Sequence, residues 1–225
     1  MNQTQKYLNS FKLLDDFYKN NKITFQMDIE MFSKKMEPFI ILVNGWSCVL
    51  GKLVGKCNNY KIRKNIVNNL FDENSGPYTH VETFYLFLNE CKNSPDSIDL
   101  HSMNDEISRL FKQYDTPTHI VLNYLTALTE YVEKKSFEDS CQFLGAIEYV
   151  YHIISKDINN YYMMQKGNTP NYHYSVHEIL DTKHASELFD CIDSADSIDS
   201  IDTTNDNFIK GAQWIVNAIN ELLNC

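Results

Sequence analysis

Six side chains able to hold metal fall in three clusters along the chain: Glu73 and His80, then Glu148, then His177, Asp181 and His184. Imidazole and carboxylate together suit iron, which favours mixed nitrogen and oxygen ligands. Three carboxylates set against two ferrous ions leave a single net positive charge. A protein interior tolerates that far better than six unpaired ligands. Brought together, this set can hold a pair of non-haem irons, and reduced iron in such a site can bind and activate O2.

The third cluster, His177-x-x-x-Asp181-x-x-His184, lies in a segment from Tyr172 to Phe189 without Pro or Gly. At about 100° per residue, positions i, i+4 and i+7 fall within a sector of roughly 60°, so all three side chains project from one helical face. Val176, Ile179, Leu180 and Leu188 are expected to give core contacts beside that face. Taken alone, the motif equally fits two partly buried histidines with an aspartate that orients one of them.

Glu73 and His80 flank the turn Asn74-Ser75-Gly76-Pro77-Tyr78-Thr79. A helical pattern through Ile62, Ile66, Val67 and Leu70 ends there, and another starts near Thr79. Proline cannot continue a helix, and glycine permits a sharp turn. Glu73 is therefore expected in the last turn of one helix and His80 in the first turn of the next, at the same end of a bundle. Glu148 sits in the apolar run Phe143 to Ile154. A carboxylate there is costly to bury unless it is paired or bound to metal, or it lies on a solvated stripe.

The elements that would position these groups read as helices throughout. They run roughly over 3–20, 25–36, 38–57, 60–73, 79–92, 103–114, 117–134, 137–164, 172–190 and 207–223, and no long alternating strand appears. Gly45, Gly51 and Gly55 are expected to allow close helix packing rather than to cradle phosphate. The acidic Ser/Asp tract over 192–206 is expected to be a mobile loop. The whole chain, 1–225, reads as one all-α domain.

The order Glu-x6-His, then a lone Glu on a later helix, then His-x3-Asp-x2-His resembles the haem-oxygenase-like di-iron oxidases and oxygenases, within the wider TenA/PqqC-like superfamily. Asn69 to Gly76 is also similar to that family's helix-turn sequence ahead of its metal histidine. The resemblance covers roughly Lys61 to Asp190 and has no counterpart for the acidic tract. It implies a haem-oxygenase-like helical bundle. It also implies two ferrous ions on Glu73, His80, Glu148, His177, Asp181 and His184, with O2 as co-substrate. The activity implied is an O2-activating oxidase or oxygenase acting on a small amino-acid-like or fatty-acid-like molecule, in cofactor or specialised-metabolite biosynthesis. An external electron donor and a homodimer are compatible with it. The superfamily also contains metal-free, thiaminase-like hydrolases with a cysteine nucleophile, for which Cys141 is the candidate here. A non-catalytic interaction protein is the third reading.

Other metal architectures do not fit. A ferritin-like bundle needs two Glu-x-x-His motifs, and this chain has none. His-Glu-x-x-His, Cys-x-x-Cys and the glycine-rich phosphate motifs are also absent. A net charge of −10 argues against nucleic acid or anionic membrane as partner. Six cysteines without motif spacing, and no secretory signal, lead us to expect reduced thiols and a cytoplasmic location. Pro38 to Gly55 is apolar but interrupted by Asn44, Ser47 and Lys52, so a buried core helix is expected there.

Overall fold

A computed structural model describes residues 3–92, 115–192 and 201–225, with a few positions between 103 and 112. Every element among the described residues is helical, and no strand occurs among them. In chain order they are α1 (Gln3–Asn20), α2 (Ile29–Met36), a 3-10 turn (Glu37–Phe39), α3 (Ile40–Lys56), α4 (Tyr60–Asn74), α5 (His80–Cys91), α6 (Thr116–Lys134), α7 (Phe137–Lys166), α8 (Tyr172–Asp190) and α9 (Ile201–Asn224). The fold is all-α, as the periodicity predicts. The helix expected over 103–114 lies largely outside the described residues, as does 193–200 of the acidic tract.

Local chemistry sets the boundaries. Asp28 caps α2 by accepting from Met31 N, so that helix starts four residues later than its apolar pattern suggests. Asp115 caps α6 and accepts from Thr118 N, with Pro117 in the first turn where its missing N–H costs nothing. Ser136 caps α7 through Asp139 N, and Asn171 caps α8 through Tyr174 N. The final helix begins at Ile201, so residues 201–206 of the tract expected as loop are helical instead.

α7 is the centre of the molecule. Residues 141–148 are buried without interruption, the condition of a helix surrounded on all sides. α8 and α9 pack along it, and α4 and α5 close against α8. One hydrophobic cluster runs from Leu14 on α1 to Leu223 on α9. Gly45 does permit close packing, since a Cβ there would lie 2.6 Å from Leu125. Gly51 and Gly55 do not, because a Cβ at either would meet nothing within 4 Å. Ile179, expected in the core, is 73% exposed. The helical stretch Ile29–Lys56 contains an 18-residue segment of mean hydropathy 1.5, long and apolar enough by composition to cross a membrane, and half of that segment is buried inside the fold.

Candidate metal centre

Glu73 ends α4 and His80 begins α5. Between them Gly76 takes φ 93, a left-handed conformation that glycine adopts without strain. Thr79 and Glu82 then form a capping box that fixes the start of α5. The turn sets Glu73 Oε2 2.8 Å from His80 Nδ1, with both residues buried. Glu148 comes from the buried middle of α7. His177, Asp181 and His184 come from one stripe of α8, and each is buried. The six sequence-predicted residues therefore line one interior region.

Three of them converge closely. One ligand atom each from Glu73, Glu148 and His184 lies within 4.8 Å of the other two. His184 Nδ1 is 3.9 Å from Glu73 Oε1 and 4.0 Å from Glu148 Oε2. These separations are too long for hydrogen bonds. They are a few tenths of an ångström wider than the roughly 3.3–3.6 Å edges of a tetrahedral cation bound at about 2.0–2.2 Å, so the side chains would close slightly on an ion. His184 Nδ1 and His177 Nε2 are buried and have no hydrogen-bond partner. A buried nitrogen left this way is costly, and a divalent cation would satisfy it. The donor set fits such an ion.

The outer atoms of the trio are held from behind. Trp46 donates Nε1–H to Glu148 Oε1 at 3.0 Å, and Asn69 Nδ2 approaches the same oxygen at 3.5 Å. His80 engages the outer oxygen of Glu73. His184 Nε2 lies 3.2 Å from Asp72 Oδ2, which also accepts from Lys183 Nζ at 2.9 Å. This is the outer-shell carboxylate that fixes the tautomer and ring plane of a ligating histidine. His177 Nδ1 is bound to both oxygens of Asp181, at 2.9 and 3.0 Å. Asp181 thus faces its own helix neighbour rather than the trio.

Charge in the centre is poised for a cation. Burial, then the charges of Asp181 and Glu73, push Glu148 well above the ordinary carboxylate range. Burial and Glu73 do the same to Asp181. Burial would also raise Glu73, but the neighbouring His80, His177 and His184 outweigh it and hold Glu73 low. Burial disfavours a charged His80, but Glu73 more than compensates and raises it. His177 is driven down to about 3 by burial and by His80, so it offers a neutral imidazole. His184 is lowered as well, chiefly by burial.

A narrow cavity of about 60 Å³ adjoins the centre. Glu73, Glu148 and His177 form its polar end, and Phe39, Leu42, Val43, Ile147, Tyr151 and Ile215 are among its apolar walls. Trp214 also lines it, and its buried Nε1–H has no partner. Of the tyrosines flanking the ligand helices, Tyr151 and Tyr174 are buried, Tyr149 donates to Asp15 at 3.2 Å, and Tyr172 is exposed. Sequence reasoning missed Trp46, Asn69 and Asp72 as supports. Asn69 and Glu73 share the i, i+4 spacing of one face, which is the signal that could have drawn Asn69 in; Trp46 carries none.

Cys141 does not suit a nucleophile. It is fully buried, and burial with the adjacent Cys191 and Cys57 thiols pushes it well above the normal thiol range. No protein-family model matches the chain, and no curated protein matches it.

Proposed function

We propose that this protein is a non-haem di-iron, O2-activating oxidase or oxygenase built on a haem-oxygenase-like bundle. The observation that supports it most is the convergence of Glu73, Glu148 and His184, each with its other polar atom anchored by His80, Trp46 or Asp72. Two ferrous ions would be held by Glu73, His80, Glu148, His177, Asp181 and His184, and their chemistry is the activation of O2 for oxidation of a bound organic molecule.

The chain's own residues do the rest. Trp46 and Asn69 keep Glu148 Oε2 turned inward. Asp72 holds the proton of His184 on Nε2 and frees Nδ1. The apolar walls exclude bulk water from the centre. Among the described residues no Lys or Arg lines the cavity, so it offers no cation to the carboxylate of either an amino acid or a fatty acid. An amino acid brings two charges and a fatty acid only one, on a long apolar body that suits these walls, which favours a fatty-acid-like over an amino-acid-like molecule. The reductant is an external small molecule or protein, and the protein acts in the cytoplasm.

Oxygen uptake tests this reading. Ferrous-loaded protein supplied with a reductant should consume O2, and medium-chain fatty acids should accelerate uptake where amino acids do not. Uptake no faster than that of free iron, under all these conditions, would refute it.

A further inference from the structure

α8 carries one more histidine on the stripe that presents His177, Asp181 and His184. His173 stands one turn before His177 and is 1% exposed. It packs against Phe84 and Tyr174, with ring centroids at 5.2 and 4.9 Å. Its Nδ1 lies 2.8 Å from Thr83 Oγ1. Thr83 donates its only hydroxyl proton to the His80 carbonyl at 3.0 Å. Thr83 therefore accepts from His173 Nδ1–H, and the lone pair of His173 Nε2 is left bare.

That Nε2 is buried without a hydrogen-bond partner, and so is His177 Nε2. The two rings lie 4.5 Å apart, centroid to centroid. His80 is beside them, at 4.7 Å from His177 and 6.4 Å from His173. Two neighbouring buried imidazoles thus each keep a bare nitrogen, close to the Glu73, Glu148 and His184 trio.

We propose that His173 is a metal ligand: with His177 it forms a two-imidazole arm of α8 that holds a second divalent cation. The inference rests on the metal-binding reading above and adds one ligand to the six drawn from the sequence. Two imidazoles at i, i+4 on one helical face are a known spacing for gripping a single cation. The bond from His173 Nδ1–H to Thr83 is the kind of contact that orients a ligating histidine. A surface cavity of about 260 Å³, lined by Tyr78, Thr83, Glu90, Asn171 and Tyr172 among others, also borders His173.

Anaerobic cobalt(II) titration, read by visible absorption and by chelator competition, tests the role without any turnover. Wild type should bind two ions. His173→Phe keeps a ring among Phe84 and Tyr174. It should weaken one site by at least about tenfold, alter its d–d spectrum, and leave the other within about twofold. Thr83→Val, which removes only the orienting hydroxyl, should weaken the same site by a smaller factor, and it decides the matter if the phenylalanine variant does not fold. Two sites of unchanged affinity and spectrum in both variants would overturn the role of His173 and leave the metal reading intact. Wild type that binds no cobalt would overturn both.

Discussion

Trp46 donates its indole N–H to Glu148 Oε1 at 3.0 Å, so only Oε2 of that carboxylate faces His184 across the centre. A glutamate from the most buried helix is thereby fixed by a residue of α3, with its free oxygen 4.0 Å from a bare imidazole nitrogen. Such an arrangement favours metal binding at the expense of the metal-free fold.

Glu148→Gln should accordingly stabilise the apo protein while weakening metal binding. The amide keeps an acceptor for Trp46 and presents N–H toward His184 Nδ1. We expect apo stability at pH 8 to rise by about 1–2 kcal/mol, measured by urea unfolding. Lower stability of the variant at that pH would contradict the role given to Glu148.

Stability of the apo protein should also fall as pH rises. Glu148 and Asp181 are raised in the fold, so their contribution is complete below the ordinary carboxylate pKa and is lost as pH climbs through their folded values. His80 is raised too, and its contribution likewise fades above its ordinary range. Glu73 works in the other direction, losing its contribution as pH falls below the ordinary carboxylate range. His177 and His184 are lowered, so their contribution grows with pH up to about 6.5; between about pH 7 and 9 the three raised groups should dominate. Melting temperature across that range checks the sign, and the slope should flatten in Glu148→Gln.

As ligands, Glu148 and Asp181 would have to give up the protons that their raised pKa values favour. Titrations in buffers of differing ionisation enthalpy should reveal protons released per ion bound, and affinity should increase with pH between 5 and 8. Affinity independent of pH would mean that neither raised carboxylate is a ligand.

Asp72→Ala tests the support of His184. We expect metal affinity to drop by about 10- to 100-fold. The melting temperature should change little, because the Asp72–Lys183 pair is half open to solvent on the lysine side and such pairs contribute little. Unchanged affinity would remove Asp72 from the site.

The sequence made the helices and the α8 stripe legible because both depend on period and local capping. The range of α8 was read from its Pro- and Gly-free run, and the Glu73–His80 turn from Gly76-Pro77. The supporting shell was not legible in this way. Trp46 reaches Glu148 through the packing of α3, a contact between residues far apart in the chain that leaves no local pattern. The engagement of Asp181 with His177 is a matter of rotamer, which spacing cannot decide. His173 shares the stripe of the candidate ligands, but spacing alone cannot separate a ligand from a core histidine; the contact with Thr83 lies outside any local pattern. Ile179 fits the apolar period of α8 but faces solvent, because period alone does not say how wide a face is covered.

Packing of the last helix can be probed independently. A Cβ on Gly211 would lie 2.3 Å from the Phe143 carbonyl oxygen of α7, and backbone cannot step aside as a side chain can. Gly211→Ala should destabilise the protein by about 1–3 kcal/mol in urea unfolding. A neutral effect would mean that α9 does not seat on α7 as described.

The most direct measurement of the central claim is metal content. Apo protein titrated anaerobically with ferrous iron, then freed of unbound ions and quantified, should retain two irons per chain. Glu148→Gln and His80→Ala should each retain fewer, with circular dichroism unchanged. Wild type that retains no stoichiometric iron, or both variants retaining two as tightly as wild type, would contradict the account.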